Sequence, residues 1–311
     1  MAGERAPMEW RKRAQGLAEL ATDPDSRWRT PVARTPRHQL APRWWERDAS
    51  GQWALRDGPS DPRAWADAAY ADRSLITQVD GLHADKAEPH DHPEGLPESS
   101  ATQAGLLVRM LCHARVGDGL SLLDLGTGAG GLTAYACHRL GDQHVTSLDV
   151  DPYLVSAAGE RLAAMGHHPR MVTADATEYV PGAYDRVVCT VALAPGRGLA
   201  SVIRAVRPGG RIATTLARTS LIVTGWKNEA GEVEGRVERG ASAEWTDPPE
   251  ARQAGPQRLW SALERIRNRL NTEGALPLLG AKALITPDGA VHLSRGHWHA
   301  SMGSPSAEAP R

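Results

Sequence analysis

The spacing of apolar and polar residues between positions 98 and 240 changes repeatedly along the chain. Short apolar runs predict buried strands, among them "SLLDL" at 121–125, "HVTSLDV" at 144–150 and "YDRVVCTVA" at 184–192. Between these runs, "GLTAYACHRLG" and "PYLVSAAGERLAAMG" have their apolar residues at helical spacing. Strands that alternate with helices predict an α/β fold, with helices on both faces of a doubly wound, mostly parallel, seven-stranded sheet.

The segments on either side of this region differ from it in composition and in the spacing of their apolar residues. Residues 1–97 are rich in Trp and interrupted by Pro; "PRWWERDASGQWALRDG" predicts two short strands, and "PRAWADAAYADRSL" predicts a helix. Residues 241–311 predict a C-terminal extension with a hairpin around Asp288-Gly289. An amphipathic helix precedes that hairpin, with one apolar stripe made of Leu259, Leu263, Ile266 and Leu270. We therefore predict a core over residues 98–240 between two α+β extensions.

The composition of the chain narrows its functional class. The 311 residues are 41% hydrophobic and 23% charged, with a formal net charge of −1, which is typical of a globular protein and gives no general attraction to nucleic acid or membranes. Cys112, Cys137 and Cys189 form no CxxC pair, so we expect buried thiols in a reducing compartment rather than disulfides or a zinc site. The first residues lack the apolar core of a signal peptide, and we expect a cytoplasmic protein.

The glycine-rich stretch "LLDLGTGAGG" indicates an adenosine-containing cofactor. Gly126, Gly128 and Gly131 match the dinucleotide fingerprint, and Asp149 follows 18 residues later, which leaves NAD and S-adenosylmethionine as alternatives. Asp124 lies two residues before the first glycine. A carboxylate there repels a pyrophosphate, whereas it attracts the ammonium and sulfonium groups of S-adenosylmethionine. The sequence therefore favours S-adenosylmethionine.

Acidic residues at the ends of the next two strands extend the pattern. In "SLDVDP", Asp149 is placed to accept hydrogen bonds from ribose hydroxyls, and in "TADAT", Asp175 is placed to accept one from the adenine amino group. Each Asp alone has the alternative role of capping a turn. Together with "RPGG" at 207–210, the series resembles the class I S-adenosylmethionine-dependent methyltransferases over about residues 98–240. The resemblance implies a cofactor site made of Asp124, Gly126, Thr127, Gly128, Gly130, Asp149 and Asp175.

The segment before the first core helix bears on the methyl acceptor. The place of an Asn/Asp-Pro-Pro-aromatic motif reads "CTVALAPG", which argues against a nucleic-acid substrate. "LPESSATQAG" resembles the turn before the same helix in the protein-L-isoaspartate O-methyltransferase family. The family's substrate-facing Ser falls on Thr102, with Ser99 and Ser100 nearby, although the family's next Pro is Ala104 here. The alternative is a capping box between Ser100 and Gln103.

This second resemblance implies methylation of an aspartyl or isoaspartyl carboxylate in a protein or peptide. A carboxylate is already ionised at neutral pH and needs alignment rather than a general base. The flanking phrases "TPRHQLAPRWWERD" and "SLITQVDGLHADKAEP" resemble an actinobacterial subgroup that tailors ribosomally made peptides. A small-molecule O- or N-methyltransferase and a non-catalytic cofactor-binding scaffold in a peptide-maturation complex stay open as alternatives.

Two further groups of residues have both a functional and a structural interpretation. Trp44 and Trp45 either grip a peptide or pack the N-terminal extension against its neighbour, and we favour packing. A polar loop suggests a metal site, but its spacing follows no helix face, and we expect structural or solvated roles and no metal there. The residues of that loop are His83, Asp85, His90, Asp91 and His92.

Overall fold

The computed structural model describes residues 9–217, 219, 221–238 and 279–303. The amphipathic helix predicted around Leu259 and the C-terminal tail lie outside these residues. Among the helices that are described, none is both long and apolar enough to cross a membrane.

The N-terminal segment forms a small layer of helices and antiparallel strands. Its helices are α1 (Trp10–Ala21), α2 (Arg29–Arg34) and α3 (Pro62–Ala69). Its strands are β1 (Arg43–Arg47), β2 (Trp53–Asp57), β3 (Leu75–Val79), β4 (Leu82–His83) and β5 (Pro97–Ala101). In this sheet β3 pairs with β1, β4 and β5, and β2 pairs with β1. Trp44 and Trp45 are buried, which agrees with packing rather than with an exposed peptide grip.

The core begins with α4 and continues as alternating strands and helices. Its helices are α4 (Ala104–His113), α5 (Gly131–Leu140), α6 (Pro152–Ala164) and α7 (Arg197–Arg204). Its strands are β6 (Leu122–Leu125), β7 (Val145–Asp149), β8 (Arg170–Thr173), β9 (Tyr184–Leu193) and β10 (Val206–Leu216). These five strands are parallel in the order β8-β7-β6-β9-β10. The first strand of the core, β6, therefore lies at the centre of these five. The strand order runs to one side from β6 to β8 and to the other side from β9 to β10, and open α/β sheets bind ligands at such a switch point.

The large sheet has more strands than the sequence predicts. Five antiparallel strands continue it beyond β10 as a meander: β11 (Leu221–Lys227), β12 (Val233–Glu238), β13 (Lys282–Ile285), β14 (Val291–Arg295) and β15 (Trp298–Met302). Ten strands are described in place of the seven expected, and half of them are antiparallel. The predicted hairpin around Asp288-Gly289 is observed as β13 and β14, and β13 pairs with β12. This pairing supplies hydrogen-bond partners for backbone groups of β12 that would otherwise lie at a sheet edge.

Alternating side chains of the strands point into two separate cores. Leu122 and Val188 face α4, α5 and the N-terminal helices, whereas Leu123 and Val187 face α7 and the C-terminal strands. This alternation is the period of two that a sheet covered on both faces requires. The N-terminal layer shares its hydrophobic core with α4 and α5 and therefore packs directly against the α/β core.

Candidate functional site

The glycine-rich turn follows β6 at the point where the strand order reverses. Gly126, Gly128 and Gly130 all have positive φ, of 94°, 49° and 86°, and Gly130 is the residue before α5. A Cβ on Gly128 would lie 3.2 Å from the backbone oxygen of Ser100 and 3.6 Å from Ser99 Oγ. Glycine at 128 therefore permits both the left-handed turn and the close approach of β5.

Asp149 ends β7 and holds this turn in place. The Gly128 N–H donates to Asp149 Oδ2 at 3.1 Å, and the Asp151 N–H donates to its Oδ1 at 3.2 Å. Burial raises the pKa of the Asp149 carboxyl, although these backbone hydrogen bonds partly offset it. Asp149 therefore lies at the end of β7, as the sequence predicts, and its carboxyl group contacts the glycine turn.

Asp124 lies beneath the turn and is fully buried. Thr133 Oγ1 donates to its Oδ2 at 2.6 Å and Ser147 Oγ does so at 3.5 Å, while Ser147 also pairs with Thr127 Oγ1 at 2.8 Å. Burial raises the pKa of Asp124 to about 7, and the nearby Asp149 adds to the effect. Its Oδ1 is buried and has no hydrogen-bond partner among the described residues. A positive charge above the turn would stabilise this carboxylate.

Asp175 is exposed and its carboxylate caps the turn after β8. Thr177 N–H and Thr177 Oγ1 both donate to Asp175 Oδ1, at 2.8 and 2.7 Å, and the hydrogen bond from the Thr177 hydroxyl is the main reason why the pKa of Asp175 is lowered. The Ala174 N–H donates to the Asp149 backbone oxygen at 3.0 Å, which brings the two strand ends together. Asp175 is therefore next to the site, and its role towards adenine stays a prediction.

The hydroxyl residues before α4 do not form the capping box that the sequence allows. Ser99 and Ser100 lie in β5, and α4 begins at Ala104 after Gln103, whose side chain caps nothing. Asp72 instead accepts the Gly105 N–H at 2.8 Å and the Gln103 side-chain N–H at 3.1 Å. A cap from 33 residues earlier in the chain leaves no local sequence signal.

Of these hydroxyls, that of Ser99 lies beside the glycine turn. Ser99 is buried and its Oγ accepts from Thr77 Oγ1 at 3.1 Å, while Ser100 Oγ and Thr102 Oγ1 are 3.3 Å apart. Next to Gly128 lie the Ser100 backbone oxygen and Ser99 Oγ, whereas the Ser100 and Thr102 hydroxyls pair with each other on the alternate face of the strand. The structure thus brings Ser99 and the backbone of β5 to the glycine turn, and the role of Thr102 stays a prediction.

A buried arginine that the sequence analysis did not identify fixes this strand end. Arg37 donates to the backbone oxygens of Ala101 and Thr102 at 2.8 and 3.2 Å, and also to those of Ala69 and Arg73. Burial lowers the pKa of Arg37, while nearby groups such as Tyr135 oppose that effect. A guanidinium that satisfies four carbonyls holds the hydroxyl segment rigidly.

The polar loop with five candidate metal ligands serves as a contact between layers. His83 is buried edge-to-face against Tyr153 at 4.9 Å, and burial lowers its pKa to about 4, so it is a neutral core histidine. Asp85 accepts from Tyr153 Oη at 2.9 Å and forms an ion pair with Arg161. Across the described part of the chain, His90, Asp91 and His92 do not gather with them into a set of metal ligands. The contact braces the start of α6, directly after Asp149.

The site fits a cationic cofactor. A carboxylate lies at the end of β7 against the glycine turn, and a buried carboxylate oxygen below the turn has no partner in the part of the chain that the structure describes. Such a site attracts an ammonium or sulfonium group and opposes a pyrophosphate.

Comparisons with known proteins agree with this interpretation. Residues 122–210 match the model of a methyltransferase domain family. A ribosomal protein L11 methyltransferase of Dechloromonas aromatica (strain RCB) is 41% identical over 99 residues, which are 32% of this chain and 32% of that protein. The corresponding protein of Geotalea uraniireducens (strain Rf4) is 31% identical over 139 residues, 42% of this chain and 41% of the relative. The chain thus spans less than half the length of either curated relative.

Among solved structures, a protein-L-isoaspartate O-methyltransferase superposes with a TM-score of 0.53 over 94% of this chain and 88% of that chain, at 14% identity. An identity this low shows a shared fold alone. The Rossmann-like fold and the S-adenosylmethionine cofactor expected from the sequence are confirmed. Residues 122–210 thus match a methyltransferase domain family, and the fold of the chain resembles that of protein-L-isoaspartate O-methyltransferase.

Proposed function

We propose that this protein transfers the methyl group of S-adenosylmethionine to an aspartyl or isoaspartyl carboxylate in a protein or a ribosomally made peptide. One observation carries the proposal: β5 approaches Gly128 of the glycine turn through Ser99 Oγ and the Ser100 backbone oxygen, and Thr102 follows directly after this strand. An acceptor bound beside these hydroxyls would lie next to the cofactor.

The cofactor contacts follow from the positions around the turn. Asp149 would accept from the ribose hydroxyls, Asp175 would lie near the adenine, and the backbone of Gly126–Gly130 would hold the methionyl part. Asp124 would act through its charge and by holding Thr133 and Ser147 beneath the turn. When bound, S-adenosylmethionine supplies an electrophilic methyl group.

The hydroxyls can orient an acceptor carboxylate. Thr77 donates to Ser99 Oγ, which leaves the Ser99 proton free to donate to one acceptor oxygen while the other attacks. Between Ser100 and Thr102, one hydroxyl donates to the other, so one proton of the pair is also free. No proton has to be removed from a carboxylate at neutral pH, because its ordinary pKa is about 4. Positioning and exclusion of water are then the contributions of the protein.

The test is methyl transfer from labelled S-adenosylmethionine to an isoaspartyl peptide, with the same peptide carrying ordinary Asp as the matched substrate. We expect incorporated label that is released as methanol at alkaline pH, which marks a methyl ester. Thr102→Val should lower turnover at least tenfold with unchanged S-adenosylhomocysteine affinity, and Thr102→Ser should restore it. Ser156→Ala, on an exposed part of α6, is the control. Base-stable label, or equal turnover of Thr102→Val, would contradict the proposal.

A ribosomal protein is a second candidate acceptor. It is favoured by the 41% identity to a ribosomal protein L11 methyltransferase over 99 residues. Label incorporated into purified ribosomal protein L11 and stable to base would support it. A small-molecule acceptor predicts turnover with neither protein substrate, and a scaffold role predicts tight cofactor binding without turnover.

A further inference from the structure

Three potential metal ligands meet at the end of the core that is opposite to the glycine turn. Cys137 lies in the last turn of α5, Asp142 in the 3-10 turn that follows, and His167 in the loop after α6. Gly141 and Gly166, both with φ of 84°, reverse the chain after each helix. In this way α5 and α6 direct their C-terminal ends towards the same place.

The geometry of the three side chains suits a small metal ion. One ligand atom from each residue lies within 4.8 Å of the other two, and no other such group occurs in residues 9–217, 219, 221–238 and 279–303. His167 Nδ1 and Asp142 Oδ1 are 3.1 Å apart. Two ligands at 2.0–2.1 Å from a tetrahedral zinc ion are about 3.3 Å apart, so this pair already has the spacing of one edge.

Backbone contacts hold these ligands in place. The His168 N–H donates to Asp142 Oδ2 at 2.6 Å, which leaves Oδ1 turned towards His167. The His167 N–H donates to the Leu162 oxygen at 2.9 Å, and the Gly141 N–H donates to the Cys137 oxygen at 3.0 Å. The backbone around Cys137, Asp142 and His167 is therefore already fixed, and we expect only small changes of these side chains on ion binding.

The surroundings of the cluster favour a positive ligand. The rings of His167 and His138 contact edge to face at 4.3 Å, and His167 Nδ1 faces Asp142. The C-terminal ends of α5 and α6 each carry partial negative charge. Together with the Asp142 carboxylate, they make the potential at the cluster negative.

We propose that Cys137, Asp142 and His167 bind a zinc ion, with water in the fourth position beside the partly exposed Asp142. The mixed sulfur, oxygen and nitrogen ligands are those that zinc accepts. An ordinary thiol is protonated at neutral pH and a metal binds the thiolate, so ion binding would release one proton to solvent. The ion would join the C-terminal ends of the two helices whose N-terminal ends support the cofactor turn and Asp149.

Cobalt substitution tests the site directly. The full chain is treated with chelator and titrated with Co²⁺, and we expect one equivalent to produce a near-ultraviolet thiolate charge-transfer band that Zn²⁺ then abolishes. Cys137→Ser should lose the band, and His167→Gln should weaken Co²⁺ affinity at least tenfold. Cys112→Ser, which removes a thiol of α4 outside the cluster, and His144→Gln, two residues from Asp142, are the matched controls and should behave as wild type.

Two readouts separate metal binding from general damage. At about 100 times the Kd, zinc should raise the unfolding midpoint of the wild type by about 5 °C and leave that of Cys137→Ser unchanged. S-adenosylhomocysteine affinity should stay within twofold in all variants, because Cys137 lies two turns of α5, or about 10 Å, beyond Gly130. A wild type without the band, or a band that survives in Cys137→Ser, would overturn the proposal. Neither result depends on which acceptor is methylated.

Discussion

Asp124→Asn removes a buried charge while it keeps the shape of the side chain. The carboxyl has a pKa of about 7 in the folded protein, against 3.8 for the ordinary group, mainly because it is buried. Since the folded pKa is the higher one, the folded state binds more protons between about pH 4 and pH 7, and wild-type stability falls as the pH rises through this window. With about 1.36 kcal/mol per pKa unit, this group alone removes about 2.5 kcal/mol between pH 5 and pH 8.

The variant lacks this loss because an amide does not titrate. Urea denaturation at pH 5 and pH 8 should therefore show the unfolding free energy of Asp124→Asn rising relative to wild type by about 2.5 kcal/mol across the interval. The other titrating groups are common to both proteins and cancel in the comparison, except for Asp149, whose interaction with the Asp124 charge is also removed. A difference that stays constant within about 0.5 kcal/mol would refute the buried-charge argument.

The ionised Asp124 carboxylate lowers the stability of the folded protein, but it should favour binding of the cationic cofactor. Asp124→Asn should weaken S-adenosylmethionine binding, and wild-type binding should release a proton near pH 6.5, because a cationic ligand favours the ionised carboxyl. Calorimetry in two buffers of different ionisation enthalpy measures that proton. Asp185→Asn is the control: hydrogen bonds from Ser121 and Arg207 outweigh partial burial and hold the pKa of Asp185 at about 2, and the residue lies near the start of β9, at the opposite end of the parallel strands from the glycine turn.

Three other substitutions probe separate contacts. Asp149→Asn should weaken S-adenosylhomocysteine binding by about 10- to 100-fold, since a charged acceptor is lost, and calorimetry measures this. Gly128→Ala should weaken it at least tenfold at a stability cost of about 1–2 kcal/mol, because φ is 49° and the new Cβ meets the Ser100 oxygen; wild-type affinity would exclude this steric argument. Asp72→Ala should destabilise the protein by about 1 kcal/mol in urea denaturation, because the Gly105 N–H at the start of α4 loses its acceptor; an unchanged midpoint would show that water replaces the cap.

Local periodicity predicts the central part of the fold well. The strand "SLLDL" and the helix "GLTAYACHRLG" are observed as β6 and α5 with ends shifted by one residue, because their burial patterns depend on neighbours in sequence. Asp149 is found at the predicted strand end for the same reason. The turn chemistry of the glycines likewise leaves a direct sequence signal.

The parts that escaped prediction depend on contacts between distant residues. Asp72 replaces the expected local cap of α4 from 33 residues away, and Arg37 reaches Thr102 across 65 residues. The expectation of buried cysteines is wrong for Cys112, which is exposed, and the grouping of Cys137 with His167 needs two helices to converge. None of these pairings has a fixed sequence spacing.

The four carbonyl contacts of Arg37 have a consequence for the evolution and engineering of this protein. Removing residues before β1 to obtain a minimal transferase would strip four buried oxygens of their donor, including those next to Thr102. A shortened version should therefore lose the ordered strand end next to Thr102, together with the part of the hydrophobic core that α1 and α2 share with α4 and α5. We therefore expect that changing the acceptor preference of this protein requires exchange of the whole N-terminal segment, including Arg37.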